Sequence, residues 1–204
     1  MKKIILLLLL FTSVFATEAQ VFLGLRDSKY GYIGYHAENG LTLQIDESFY
    51  SANFKYQYLR VNVGYQNKFA DDQFDFYGGV FGGFNYIRSF ANAGVDIHGK
   101  LQIVDYFGVR ATLMPMYDTY YKGQFCFQGG VHGTLNEHLA IVADYTNIPT
   151  NREKESRIRG GFDFSFAERG HKNTGALIAS PMLAYPLNTD TKTLRIEVNM
   201  RYMF

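Results

Sequence analysis

The chain has 204 residues, of which 19% are charged, and its formal net charge is +1. A chain so close to neutral gives a nucleic-acid partner no electrostatic support, and its single cysteine, Cys126, excludes an internal disulfide. Its 16 Tyr, 18 Phe and 20 Gly with no Trp favour strands over helices.

The first residues, MKKIILLLLLFTSVFATEAQ, place two lysines before an apolar run that ends in small residues. This layout is typical of a cleaved secretory signal peptide. The run is too short for a membrane-spanning helix, which needs about 20 apolar residues. We therefore predict a signal peptide over 1–19, cleaved after Ala19 or alternatively after Ala16, and one domain over 20–204.

Apolar and polar residues alternate along almost all of the remaining chain. In LTLQIDESF (41–49), the odd positions are apolar apart from Glu47, and the even positions are polar. Such alternation predicts strands with two chemically different faces. The same pattern is found in the segments 59–65, 92–103, 107–113, 124–133, 157–166 and 194–204.

Turn-forming stretches separate these segments and set the number of strands. Those predicted at one end of the domain are 38–40, 67–73, 102–105, 136–138 and 167–174, and those at the other end are 50–54, 86–90, 117–122, 147–156 and 186–192. A first hairpin over 21–37, turning near Asp27 and Ser28, completes about twelve antiparallel strands. If 21–37 is one strand and 176–187 is a loop, the count is ten.

The alternating faces fit a membrane barrel better than a soluble sandwich. The apolar faces are unusually aromatic, whereas the opposite faces mix glycine and serine with charged residues. In a transmembrane barrel, a lysine or arginine facing lipid costs about 2–4 kcal/mol at the midplane. Five cationic residues fall on the polar faces, as this cost demands: Arg60, Lys100, Arg110, Arg159 and Arg195.

The chain ends on an amphipathic strand, TLRIEVNMRYMF. With the signal peptide and the alternation, this ending resembles the small outer-membrane β-barrel proteins of Gram-negative bacteria. The resemblance implies an all-β, closed antiparallel transmembrane barrel in the bacterial outer membrane, in contact with outer-membrane lipid. It also implies that the barrel assembly machinery reads the last strand, with Tyr202 and Phe204 as the signal. The chain departs from the family in having no Trp, so Tyr must serve at the membrane interface.

Charged residues on the polar faces would lie inside the barrel, where buried charges persist only when they are paired. Asp96 and His98 could hold a metal with a third ligand, but pairing with Lys100 and Arg110 is the favoured interpretation, and we predict no metal and no cofactor. The cationic excess would favour anionic solutes if a pore exists. The predicted luminal charge network consists of Arg60, Asp96, His98, Lys100, Arg110, Asp144, Arg159, Asp163, Arg195 and Glu197.

No catalytic constellation stands out. His132 faces inward outside any His-x-Ser motif, Ser165 and Asp163 share one strand, and Asp71 and Asp72 lie in a predicted turn. The leading hypothesis is a non-enzymatic outer-membrane barrel, either structural and surface-exposed or a narrow pore. The alternatives are a barrel enzyme acting on lipid or peptide and a soluble periplasmic sandwich. The sequence leaves the oligomeric state undecided.

Two further motifs have simple interpretations. The mixed-charge stretch 151–155 (NREKE) is interpreted as a solvated loop tip, and contact with lipopolysaccharide phosphates or a host surface is a second hypothesis for it. The glycine pairs at 78–79 and 82–83 alternate with aromatic residues inside a strand. They are therefore not a phosphate-binding loop, which joins a strand to a helix.

Overall fold

The computed structural model describes residues 20–26, 30–48, 59–70, 72–85, 89–120, 122–148, 155–166, 176–189 and 192–204. The predicted signal segment 1–19 lies outside the described residues. So do the predicted first turn at Asp27 and Ser28, the turn residue Asp71 and the loop stretches 50–54, 149–154 and 167–174.

Twelve antiparallel strands close into one barrel in which each strand pairs with its neighbours in sequence and the first pairs with the last. This confirms the prediction of a closed twelve-stranded barrel. The alternative of ten is wrong, because 21–37 forms a hairpin and 176–186 forms a strand. The strands are β1 (Gln20–Arg26), β2 (Tyr30–His36), β3 (Leu41–Ser48), β4 (Leu59–Phe69), β5 (Phe74–Asn85), β6 (Phe90–Val104), β7 (Phe107–Asp118), β8 (Lys122–Asn136), β9 (Leu139–Thr146), β10 (Arg157–Ser165), β11 (Ala176–Pro186) and β12 (Arg195–Met203).

The two faces of the wall differ as the alternation predicts. Outward side chains such as Val80 and Ile196 are 59% and 72% exposed, whereas inward ones such as Asn62 and Arg159 are buried. An apolar surface of this extent needs an apolar environment, and a closed sheet leaves no unpaired backbone to face lipid. The architecture is therefore that of a transmembrane-type closed barrel, and the alternative of a sandwich of two sheets is wrong.

No helix in the described part of the chain is long and apolar enough to cross a membrane.

Several inward glycines let aromatic rings lie flat against the inner wall. The ring of Phe22 covers Gly34, and the ring of Tyr32 covers Gly24. A Cβ atom at either glycine would collide with the ring, so a larger residue there would push the ring into the lumen. Glycine can thus mark a close approach of neighbouring groups in a strand. On β5, in contrast, Gly82 faces outward into open space.

The free-energy cost of placing a charged residue on the outer face can be measured at Val80, near the middle of β5. We expect Val80→Arg to lower the free energy of unfolding by about 2–4 kcal/mol, because the guanidinium would face the bilayer midplane. Tyr106→Arg, in the turn after β6, is the control and should cost about 0–1 kcal/mol, since it lies at the interface. Denaturant unfolding in lipid vesicles measures both, and equal costs would contradict the assigned lipid face.

Candidate functional site

The inner wall carries a cluster of ion pairs centred on Asp144 of β9. Arg159 of β10 binds this carboxylate through two nitrogens, with Nε 2.8 Å from Oδ1 and Nη2 3.1 Å from Oδ2. Arg110 of β7 donates to Oδ2 at 2.6 Å, and the amide of Gln128 donates to the same oxygen at 3.0 Å. The Asp144 side chain has no exposed surface. Its charge is buried but compensated by two-point arginine binding and further donors.

Glu197 of β12 extends this cluster to a second arginine. Arg159 Nη1 lies 3.3 Å from Glu197 Oε2, and Arg157 Nε lies 3.1 Å from Oε1. Arg157 also donates to the carbonyl oxygen of Ile148 at 3.0 Å. At the other end, Arg110 Nη1 is 3.8 Å from Asp163. Acidic and basic groups therefore alternate from β7 to β12, and we call this set the ion-pair cluster: Arg110, Asp144, Arg157, Arg159, Asp163 and Glu197.

A separate ion pair joins Arg195 to Glu155, with Nη1 2.8 Å from Oε2. Glu155 is only 1% exposed, so its assignment to a solvated loop tip was wrong. The signal is present in the sequence, because position 155 has the same parity as Arg159, which the alternation places on the inner face. Residues 151–154 lie outside the described part of the chain.

Three further predicted residues, Asp96, His98 and Lys100, lie on β6. Asp96 and His98 of β6 pair with each other, with 3.4 Å between Oδ1 and Nδ1, and His98 stacks on Tyr77 with ring centroids 4.5 Å apart. Lys100 lies opposite Arg110 in the β6–β7 register. The favoured interpretation joined Asp96 to Arg110, whereas Arg110 binds Asp144 and Asp163. The ion pairs described for the ten predicted residues are the pairs around Asp144, the Asp96–His98 pair and the Arg195–Glu155 pair.

On the β1–β6 side, arginines contact aromatic rings. The Arg60 guanidinium carbon lies 4.3 Å from the centroid of Phe81, and that of Arg201 lies 4.2 Å from the centroid of Phe22. Cation–π contacts of this kind stabilise a guanidinium without a carboxylate. Arg26 is also on this side and lies 3.3 Å from Asp46.

A cavity of about 270 Å³ opens beside Phe22, Arg26 and Arg201. Charged, amide and aromatic side chains line it, and we call it the luminal chamber. The β6 wall of the chamber is accessible to water, because the His98 side chain is 47% exposed. The lining residues used below are Phe22, Arg26, Tyr32, Asn62, Asp96, His98, Asn199 and Arg201.

A small apolar cluster also faces inward, on β5, β7 and β8. Phe81, Met114, Met116 and the free Cys126 pack together there, and Ile148 contacts them. These side chains fill space next to the ion-pair cluster. The two clusters meet at Ile148, which contacts the apolar cluster and whose carbonyl oxygen accepts from Arg157.

The residues considered for catalysis have other partners. His132 Nε2 lies 2.8 Å from the side-chain amide oxygen of Gln102. A catalytic histidine would instead contact a serine hydroxyl or a carboxylate through this nitrogen. Asp72 is exposed beside Lys68 at 3.6 Å. Within the described ranges, no group of three or more His, Cys, Asp or Glu side chains is placed to hold a metal ion.

Solved structures with the same architecture include two porins. The KdgM porin, solved in complex with disordered oligogalacturonate, matches with a TM-score of 0.60 and 15% identity, covering 92% of this chain and 99% of that chain. The NanC porin matches with a TM-score of 0.50 and 11% identity, covering 91% and 97%. No protein-family model and no curated protein matches the chain. At these identities the likeness shows the fold, which is that of a small outer-membrane β-barrel, as the sequence predicted.

The ion-pair cluster should contribute strongly to stability. We expect Arg159→Gln to lower the free energy of unfolding by about 3–5 kcal/mol, because it leaves the buried carboxylates of Asp144 and Glu197 undercompensated. Lys68→Gln, which breaks the exposed pair with Asp72, should cost no more than about 1 kcal/mol. Denaturant unfolding of the refolded barrel measures both changes. A cost for Arg159→Gln as small as the control would contradict the inferred role of the cluster.

Proposed function

We propose that the protein is a narrow, non-enzymatic outer-membrane pore that passes small polar solutes along the β1–β6 side of its lumen. The observation that carries this proposal is the unequal filling of the lumen. On one side Asp144, Arg159 and Glu197 are buried in ion pairs, and on the other side a polar chamber of about 270 Å³ remains beside the exposed His98.

The chemistry of the chamber supports passage of solutes that carry hydroxyl, amide or anionic groups. Asn62 and Asn199 line it with side-chain amides, and Arg201 lines it with a guanidinium. Arg26 also lines it, with one guanidinium nitrogen 3.3 Å from Asp46. Pore selectivity depends on the donors, acceptors and charges that line the narrow part of a channel. The KdgM porin, whose fold this chain shares, was solved with an oligogalacturonate, and a polar solute is proposed here on that analogy.

A purely structural barrel and a barrel enzyme fit these observations less well. A structural barrel has no need of a polar chamber beside a wall that is accessible to water. The enzyme hypothesis lacks support because His132 bonds to an amide and Asp163 pairs with Arg110.

The pore proposal predicts that narrowing the chamber reduces conduction. We expect His98→Trp to lower the single-channel conductance in a planar bilayer by about half or more, because the larger side chain would occupy the exposed side of the lumen. The matched control is Val95→Trp on the same strand, whose side chain points outward, and it should leave conductance unchanged.

Silence of the wild-type barrel in this experiment, with a correctly folded, heat-modifiable sample, would reject the pore. Equal conductance of the wild type and His98→Trp would reject a conduction route along β6. Conduction would then take place through another part of the lumen.

We also propose that the last strand is read by the barrel assembly machinery, with outer-membrane lipid as the surrounding partner. Phe204 is 51% exposed, its ring lies 4.9 Å from that of Tyr202, and its backbone nitrogen donates to the Val21 carbonyl at 2.9 Å. The terminal ring therefore remains exposed next to the strand that closes the barrel.

For the assembly signal, we expect Phe204→Ser to lower the amount of folded protein in the outer membrane of expressing cells, while refolding into detergent is unchanged. Detergent refolding needs no machinery, and the backbone bond to Val21 is retained. The matched control is Phe166→Ser, since Phe166 is also an exposed aromatic residue just after a strand. If both variants reach the membrane equally well, Phe204 is not a recognition signal.

A further inference from the structure

The joint between the two ends of the sheet is its shortest ladder. β1 and β12 pair only over Phe22–Leu25 and Met200–Met203, whereas β4 and β5 pair along the whole of Leu59–Phe69. Of the twelve ladders among the described residues, this β1–β12 seam has the fewest paired positions. Side chains that cross the seam therefore carry more of its stability than they would elsewhere.

Two side chains cross it on the inner face. Arg201 of β12 lies over the ring of Phe22 of β1, 4.2 Å from its centroid. Tyr32 of β2 lies over Gly24 of β1 and donates its hydroxyl to the Met200 carbonyl of β12 at 3.1 Å. Both contacts face the luminal chamber, so whatever occupies the chamber also touches the seam.

Arg201 differs from the other arginine of its strand in having no carboxylate partner. Arg195, six residues earlier on the same inner face, is 2.8 Å from Glu155. Within the described residues no ion pair is found for the Arg201 guanidinium, whose described contact is the ring of Phe22. Arg201 lines the chamber, so an anion that enters the chamber would gain a strong, charge-assisted contact with the accessible part of this guanidinium.

The chamber limits the ligand to a small one. Its volume of about 270 Å³ lies below the roughly 300–1,000 Å³ of sites for drug-sized ligands. The amides of Asn62 and Asn199 can bind hydroxyl groups, and Asp96 on the β6 wall would repel a second negative charge. A planar monocarboxylate fits the guanidinium fork of Arg201, which matches carboxylate geometry.

We propose that Arg201 forms a subsite for a small monocarboxylate in the luminal chamber, and that its occupation stabilises the β1–β12 seam. A ligand that binds the folded barrel and not the unfolded chain raises its stability in a saturable way. The ligand bridges Arg201 to chamber groups on β2–β4, and so ties the last strand to the first strands. This inference deepens the proposed pore, because the ligand reaches the chamber through the lumen.

The experiment uses the refolded mature protein in detergent and measures its thermal unfolding midpoint, read from heat-modifiable gel migration. Sodium lactate is titrated against sodium chloride at equal ionic strength. In the wild type, we expect lactate to raise the thermal unfolding midpoint above its value in chloride, with saturation at high lactate. In Arg201→Gln, we expect this rise to be lost. The matched control Arg195→Gln should lower the midpoint itself, because it leaves the buried Glu155 without its Arg195 partner. It should keep the lactate-dependent rise.

Arg201→Lys provides a second measurement if the glutamine variant does not fold. It keeps a cation beside Phe22 but loses the planar fork, so the lactate-dependent rise should shrink. The Nε–H NMR signal of Arg201 is assigned in the wild type as the arginine signal that disappears in Arg201→Lys. When lactate is added to the wild type, the chemical shift of this signal should change. A non-saturating rise, an equal rise in Arg201→Gln, or an unshifted signal would each overturn the proposal.

Conductance is not measured in these experiments, so the two proposals fail separately. A conducting barrel without the lactate effect would overturn only the carboxylate subsite. A silent barrel with the effect would overturn only the pore.

Discussion

The structure depends on the need to pair every backbone amide and carbonyl in a medium that contains no water. A sheet meets this need in lipid only when it closes on itself, and the twelve strands do so in simple sequence order. Closure separates the side chains into an outer set that contacts lipid and an inner set that contacts water or other side chains. The charge pairs, the chamber and the covered glycines all belong to the inner set.

Some luminal arginines are held by carboxylates, Arg26 beside Asp46 among them, and others by aromatic rings. On the β7–β12 side, Arg157 and Arg159 are neutralised by carboxylates and fill space. On the β1–β6 side, Arg60 and Arg201 lie on aromatic rings, which support a cation while leaving some of its donors directed elsewhere. The first arrangement makes a rigid wall, and the second leaves a surface that a polar solute can contact. A single barrel thereby combines a packed side with a chamber.

The fold could be predicted from the sequence because each strand has an apolar outer face and a polar inner face. The period-two alternation of apolar and polar residues indicates both faces. The parity that places Asp144 and Arg159 inward follows from their own strands alone. Their partners could not be predicted in the same way, since an inward side chain has neighbours on two or three strands and the register decides among them. Arg110 illustrates this point: it lies opposite Lys100 and Gly130 but reaches past β8 to Asp144. Glu155 differs, because it lies in a mixed-charge stretch typical of a solvated loop while its parity matches that of the inward Arg159.

The ion-pair cluster also bears on the order in which the barrel is built. Arg110 and Asp144 are 34 residues apart, and Arg157 and Glu197 are 40 apart. Glu197 lies on the final strand, so a partly assembled sheet lacking β12 would leave Arg157 and the second donor group of Arg159 without this carboxylate. Contacts between residues distant in sequence form slowly, because the chain entropy between them must be lost first. Arrival of the last strand therefore completes the ion-pair cluster at the same step that closes the sheet, which couples late folding to neutralisation of Arg157 and Arg159.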